Sequence, residues 1–265
     1  MAQSACCLSK LLRLSARNEF EEYLPHKNGR VEGHVVCGPS SCGKTSLLFE
    51  YAFSCAENED YVLFVSPKPL VKLPLFVNGR TQPNSVVLKR INIAYLGNYV
   101  ELTEYFANAH LDRIKNSSLG KTRHVLIDDF DWYFREKGTW TQDITRFAEC
   151  FAYIVDAIEF WSKHMQSSLE TKCSLLLSET VAGDTMSTDK IGLYKHWVSE
   201  FMRIQELGNS LFRIHPFEHG KDRDNLSSDL TVCYEIKGKE IKIREDARVT
   251  DQYFNPDSQV GPVDG

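Results

Sequence analysis

VVCGPSSCGKTSLLFEYAF, residues 35–53, runs from an apolar segment through a Gly-rich turn into a second apolar segment. Gly38 and Gly43 are separated by four free positions, Pro39, Ser40, Ser41 and Cys42, and are followed by Lys44, Thr45 and Ser46. This is the spacing of a phosphate-binding loop between a strand and a helix. Successive backbone N–H groups in such a loop turn inward as an anion nest, and the helix that follows offers its positive end to the same phosphates. Glycine at both fixed positions permits backbone angles and close approaches that a Cβ would block. Lys44 is placed to reach the β- and γ-phosphates, and the Thr45 hydroxyl to complete a Mg²⁺ shell. A Gly/Ser-rich turn that merely ends in Lys-Thr is the plainer alternative, but the strand-turn-helix context favours a bound nucleotide with Mg²⁺, with ATP the expected nucleotide. No Asn-Lys-x-Asp sequence is present to select guanine.

Outside this loop, the chain of 265 residues has an ordinary globular balance, 42% hydrophobic and 25% charged. A net charge of −5 argues against a protein that coats nucleic acid by bulk electrostatics, and leaves room for a local basic groove. The eight cysteines, at 6, 7, 37, 42, 55, 150, 173 and 233, form no Cys-x-x-Cys pair. Their scatter suits reduced, buried thiols rather than disulfides or a zinc site. Cys42 is either an oxidation-sensitive loop thiol or a tolerated small side chain. No secretory signal and no membrane-spanning run is expected.

Apolar segments at 33–37, 61–65, 91–96, 124–127 and 173–180 alternate with helical patterns at 44–57, 98–114 and 139–165. In the last of these, Ile144, Phe147, Phe151, Ile154, Ile158, Trp161 and Met165 step by three and four, with Thr139 and Gln142 spaced as a capping box. That stripe suits a helix packed on a sheet better than a coiled-coil face. Residues 66–85 and 181–193 read as loops, and strand patterns close the chain at 201–206, 211–214, 230–236 and 240–243. Residues 1–30 form a separate N-terminal segment with a helix at 3–24, residues 31–245 the domain, and residues 246–265 an acidic, disordered tail. The expected fold is α/β, a mostly parallel sheet flanked by helices with late β-hairpins. The segment HVLIDDF places Asp128 and Asp129 at the end of an apolar strand. Asp128 is the candidate Mg²⁺ partner of Thr45, and Asp129 is a candidate catalytic base or a turn residue.

VVCGPSSCGKTSLLFEYAF, YVLFVSPKPL, HVLIDDFDWYF, CSLLLSET, LYKHWVSEF and LTVCYEIKGKEIKI together resemble the RecA-like recombinase paralogues over residues 33–245. Within that family the chain is similar to the ATPase partner of the SWIM-domain zinc protein in the animal Shu-type complex. The resemblance implies a RecA-like P-loop NTPase core in a nuclear DNA-repair protein. Its implied partners are the SWIM-domain protein, a recombinase and single-stranded DNA, with no membrane association. It also implies that residues 38–45 hold the nucleotide and Asp128 the Mg²⁺. Two positions depart from it. Active recombinases place a water-activating glutamate after the second strand, where this chain has Ser66, Pro67 and Lys68. Their γ-phosphate-sensing glutamine ends a later strand, where Ser178, Glu179 and Thr180 stand here. Slow hydrolysis, or none, is therefore expected. Candidate DNA contacts are Lys68, Lys72, Arg80, Lys190 and Lys195. Phe53 with Ala56, and Phe106 with Ala109, have recombinase-docking spacing but lie on amphipathic helices, which favours core packing. The alternatives are a P-loop kinase or motor-type ATPase, and a scaffold whose ATP never turns over.

Overall fold

The computed structural model describes residues 33–111, 121–135, 140–164, 173–181, 188–198, 200–216 and 231–244. The expectations for residues 1–30, for 246–265, for Met165 and for Thr139 as a helix cap lie outside the described residues.

A ten-stranded sheet organises the chain. Its strands are β1 Gly33–Gly38, β2 Tyr61–Ser66, β3 Phe76–Val77, β4 Ile91–Tyr95, β5 Thr122–Ile127, β6 Ser174–Thr180, β7 Glu200–Gly208, β8 Leu211–Pro216, β9 Val232–Lys237 and β10 Glu240–Arg244. The helices are α1 Lys44–Glu57, α2 Ser85–Leu88, α3 Tyr99–Ala107, α4 Trp140–His164 and α5 Thr188–Trp197. The spatial order is β3-β10-β9-β8-β7-β1-β6-β5-β2-β4. Neighbours from β7 to β4 pair in parallel, and β7 to β10 form an antiparallel meander.

The central strands are apolar on both faces because both faces are covered. Helix α4 and its neighbours bury Val35, Leu63, Val125, Ile127 and Leu177 on one side. Helix α1 buries Val36, Val62, Phe64, Leu126 and Leu176 on the other. On α4, Phe147, Phe151, Ile154, Ile158 and Trp161 are buried in the first of these cores, so the stripe is a packing face. Phe53, Ala56, Phe106 and Ala109 are also buried, which commits both docking-like pairs to the core. The described cysteines, 37, 42, 55, 150, 173 and 233, are free and buried.

Local signals set the helix starts. Asn98 caps α3 by accepting from the Glu101 N–H, while the Glu101 carboxylate reaches back to the Gly97 N–H and the Asn98 amide, a reciprocal cap. Asn84 caps α2 through the N–H groups of Val86 and Val87. The segment 66–85, expected as loop throughout, contains β3. This two-residue strand forms because Phe76 and Val77 pair with Glu240 and Ile241 of β10, a partner distant in sequence. The expected loop 181–193 is also shorter: α5 begins at Thr188, and residues 182–187 lie outside the described residues. Among the described residues no helix is long and apolar enough to cross a membrane.

An ion cluster ties the amino ends of β5 and β6 to the turn after α1. His124 Nε2 lies 3.3 Å from Asp60, its Nδ1 lies 2.8 Å from the Ser174 hydroxyl, and Arg123 reaches Asp60 at 3.0 Å. Burial opposes the imidazolium, but hydrogen bonds and charge from Asp60 and Cys55 outweigh it and raise His124 to about 9. A histidine raised above its ordinary 6.5 stabilises the fold fully below that value, and the contribution is lost as pH rises through about 9. Replacing His124 with Gln should therefore lower the urea-unfolding free energy by on the order of 1–3 kcal/mol at pH 6.5. The gap to the unsubstituted protein should narrow steadily to pH 9.5. A gap independent of pH would refute the ion-pair assignment.

Candidate nucleotide site

The phosphate loop follows the carboxyl end of β1, with close approaches that exclude larger residues. A Cβ at Gly38 would sit 2.7 Å from the Ile204 Cβ on β7. Ser41 and Gly43 both take left-handed backbone angles, φ 61° and φ 89°, a succession that bends the chain into a concave nest. Ser40 and Ser41 are exposed at its rim. Cys42 is fully buried and its thiol is pushed up by that burial, so it packs rather than reacts. The Ser46 hydroxyl accepts from the Leu75 N–H, bracing the segment that precedes β3.

Lys44 is the most informative side chain. It is buried, 5% exposed, and its ammonium donates to the carbonyls of Gly38 at 3.2 Å and Pro39 at 2.6 Å. Among the described residues no carboxylate lies within ion-pair distance of it. A buried ammonium is costly unless compensated, and carbonyl dipoles compensate it only in part. The nest therefore has a fixed positive charge suited to an incoming anion.

At the end of β5, Asp128 completes the site from the other side. Its Oδ2 accepts the Thr45 hydroxyl at 2.7 Å, and its Oδ1 accepts the Ser178 hydroxyl of β6 at 2.6 Å. Burial raises its carboxyl above the ordinary range; the hydrogen bonds from Ser178 and Thr45 oppose that, and nearby Asp129 adds to it. A hydroxyl and a buried carboxylate beside a phosphate nest fit a hard dication: Thr45 would hold Mg²⁺ directly and Asp128 through water. Such an ion would neutralise phosphate charge.

Asp129 takes a left-handed conformation, φ 46° and ψ 49°. Its N–H donates to Ser178 and its Oδ1 accepts the Thr180 hydroxyl at 2.9 Å, leaving it partly exposed beside the site. Two residues on, Asp131 accepts the Thr180 N–H at 3.0 Å and binds the Arg135 guanidinium. Ser178 and Thr180 thus knit the acids after β5 onto β6. The sequence flagged them only as departures from a family pattern; a small hydroxyl ending an apolar strand beside an acid pair was the available signal.

The expected DNA contacts divide. Lys68, Lys72 and Lys195 are exposed. Lys68 lies over the Trp132 ring with 3.4 Å to its centroid, a cation–π contact at the carboxyl edge. Arg80 does not belong with them. It is nearly buried and binds Glu50 at 2.7 Å, Glu57 at 2.5 Å and Ser54 at 3.3 Å, all on α1. Lys190 is likewise committed, because its ammonium is ion-paired with Glu179, which is fully buried. Sequence position alone could not reveal these pairings, because none of the three acids is a neighbour of its partner in the chain.

No family model matches the chain, and no curated protein matches it in sequence. Among solved structures its fold is similar to that of the RadB recombinase, with a TM-score of 0.51 and 13% identity over 82% of this chain and 92% of that one. The fold is thus α/β of the RecA-like kind, mostly parallel with late antiparallel strands.

Because the Glu179 carboxylate is buried, removing its partner should be costly. Lys190→Met should lower the unfolding free energy by about 3–5 kcal/mol, and Glu179→Leu in the same chain should restore most of that. Lys195→Met should change it by less than about 0.5 kcal/mol. Denaturant melts of the three variants check this, and a Lys190 effect as small as that of Lys195 would contradict the pairing.

Proposed function

We propose that this chain is an ATP-binding accessory factor of homologous recombination repair. The reading rests on Lys44: a buried ammonium held by loop carbonyls in a nest of N–H groups is suited to a polyphosphate. The Thr45–Asp128 pair is suited to the accompanying Mg²⁺. The RecA-like fold, similar to that of a recombinase, supports placing the chain among recombination ATPases. The resemblance of its segments to the recombinase paralogues supports pairing with a SWIM-domain zinc protein in the nucleus. There the pair would support recombinase filaments on single-stranded DNA.

Hydrolysis is slow or absent in this reading. After β2, where active recombinases carry a glutamate, Lys68 stands with its ammonium over Trp132, and a cation cannot take a proton from water. Asp129 is the partly exposed carboxylate beside the site, so any residual turnover uses it as base. One of its oxygens is already engaged by the Thr180 hydroxyl, which leaves the other to face a water. The exposed lysines, 68, 72 and 195, are the candidate contacts to the DNA backbone.

Lys44→Ala should weaken ATP binding in calorimetry by roughly 10- to 100-fold, the loss of one charge-assisted contact; unchanged affinity would overturn the nucleotide reading. Steady-state turnover should fall well below the roughly 1–100 s⁻¹ of kinases, and Asp129→Asn should remove what remains. A rate unaltered by that substitution excludes Asp129.

Single-stranded DNA should bind the isolated chain weakly and with steep salt dependence, more tightly once the SWIM-domain protein is added. Replacing Lys68, Lys72 or Lys195 with Ala should reduce the logarithmic salt slope by about 0.7 for each lost phosphate contact. A slope indifferent to all three substitutions would remove these lysines from the interface.

A further inference from the structure

Beneath the phosphate loop lies a tyrosine contributed from far along the chain. Tyr234, on β9, is fully buried and donates its hydroxyl to the Cys42 carbonyl at 2.7 Å, across 192 residues of sequence. Its ring is stacked on Phe212 of β8, with centroids 5.4 Å apart, which fixes where the hydroxyl points. The same hairpin approaches the next residue too: a Cβ at Gly43 would meet Ile236 of β9 and Ile241 of β10, each at 3.3 Å.

The Cys42 carbonyl and the Gly43 N–H belong to one trans peptide, so they point in opposite directions. A carbonyl held down toward β9 aims that N–H up, into the nest. Were the carbonyl released, the peptide could rotate. Gly43 tolerates a wide range of angles, and the rotated carbonyl would present negative charge to the phosphates.

We infer that Tyr234 is a positioning residue for nucleotide binding, its hydroxyl holding the Cys42–Gly43 peptide so that the Gly43 N–H faces the phosphates. The inference rests on the nucleotide reading above and adds a determinant outside the loop. It gives the late hairpin a part in the site: β8 and β9 supply the post against which the nest is shaped. The contact serves the phosphates common to ATP and ADP, because the N–H groups of such a loop cradle the α- and β-phosphates while the lysine reaches toward the γ-phosphate.

Tyr234→Phe is the test. It removes the hydroxyl and keeps the ring in its stack on Phe212, so the fold survives. Calorimetric titration with ATP and with ADP, at a temperature well below every variant's melting midpoint, should show both affinities reduced by the same factor, roughly three- to tenfold. Ile214→Val, which trims the same core without touching the hydroxyl, serves as the matched control. It should lower the melting temperature and leave both affinities at the values of the unsubstituted protein. Phe212→Leu, a second variant, keeps the hydroxyl but loosens its stack. It should weaken binding less than Tyr234→Phe does.

Three results would count against this. If Tyr234→Phe binds ATP and ADP as the unsubstituted protein does, the inference fails while the nucleotide reading stands. If Ile214→Val weakens binding as much, general loosening of the core explains the effect and the positioning role is wrong. If the unsubstituted protein binds neither nucleotide, the functional reading falls and the inference falls with it.

Discussion

A buried ammonium curled under its own loop is the constraint from which the site follows. Lys44 donates to two carbonyls of the turn that precedes it, so the turn must fold back over the start of α1. Such a fold requires left-handed backbone at Ser41 and Gly43 and a glycine against β7 at Gly38. Each requirement is met by a residue of the phosphate loop or by the strand beneath it. Charge without a full counter-charge is expensive in a protein interior. The loop accordingly stores a standing attraction for an anion, and an anion bound there would stabilise the folded state by mass action.

The acids of the site are arranged across strands rather than along one. Asp128 stands after β5, yet its two oxygens are occupied by hydroxyls from the start of α1 and from β6. Thr180 then ties Asp129 and Asp131 to the same strand end. Alternation along β6 sends Ser178 toward Asp128, while Glu179 turns to the opposite face, where Lys190 of α5 neutralises it. One strand end therefore serves two separate polar systems.

Opposite ends of the sheet hold charge differently. At the amino edge, His124, Asp60 and Arg123 form a cluster of opposite signs that satisfies itself, and a protonated imidazole there contributes stability rather than chemistry. At the carboxyl edge, Lys44 has no carboxylate partner among the described residues, and Lys68 rests on an aromatic face. Parallel strands explain the asymmetry: their loops converge on one edge, and groups left incompletely paired there are available to ligands.

Residues 35–53 by themselves determined the strand, the Gly-rich turn and the helix that bring Gly38, Gly43, Lys44 and Thr45 together, because that geometry depends on neighbours within a few turns of chain. The apolar run ending at Asp128 and the three-and-four stripe on α4 were equally legible, since burial imposes a period on sequence. What the sequence could not carry were pairings between residues far apart. β3 exists because β10 lies beside it, Arg80 and Lys190 lost their candidacy as DNA contacts to acids on α1 and β6, and Tyr234 reaches Cys42 from a late hairpin. These were decided by tertiary structure, because a hydrogen bond or ion pair acts across a few ångströms of space whatever the length of chain between its partners.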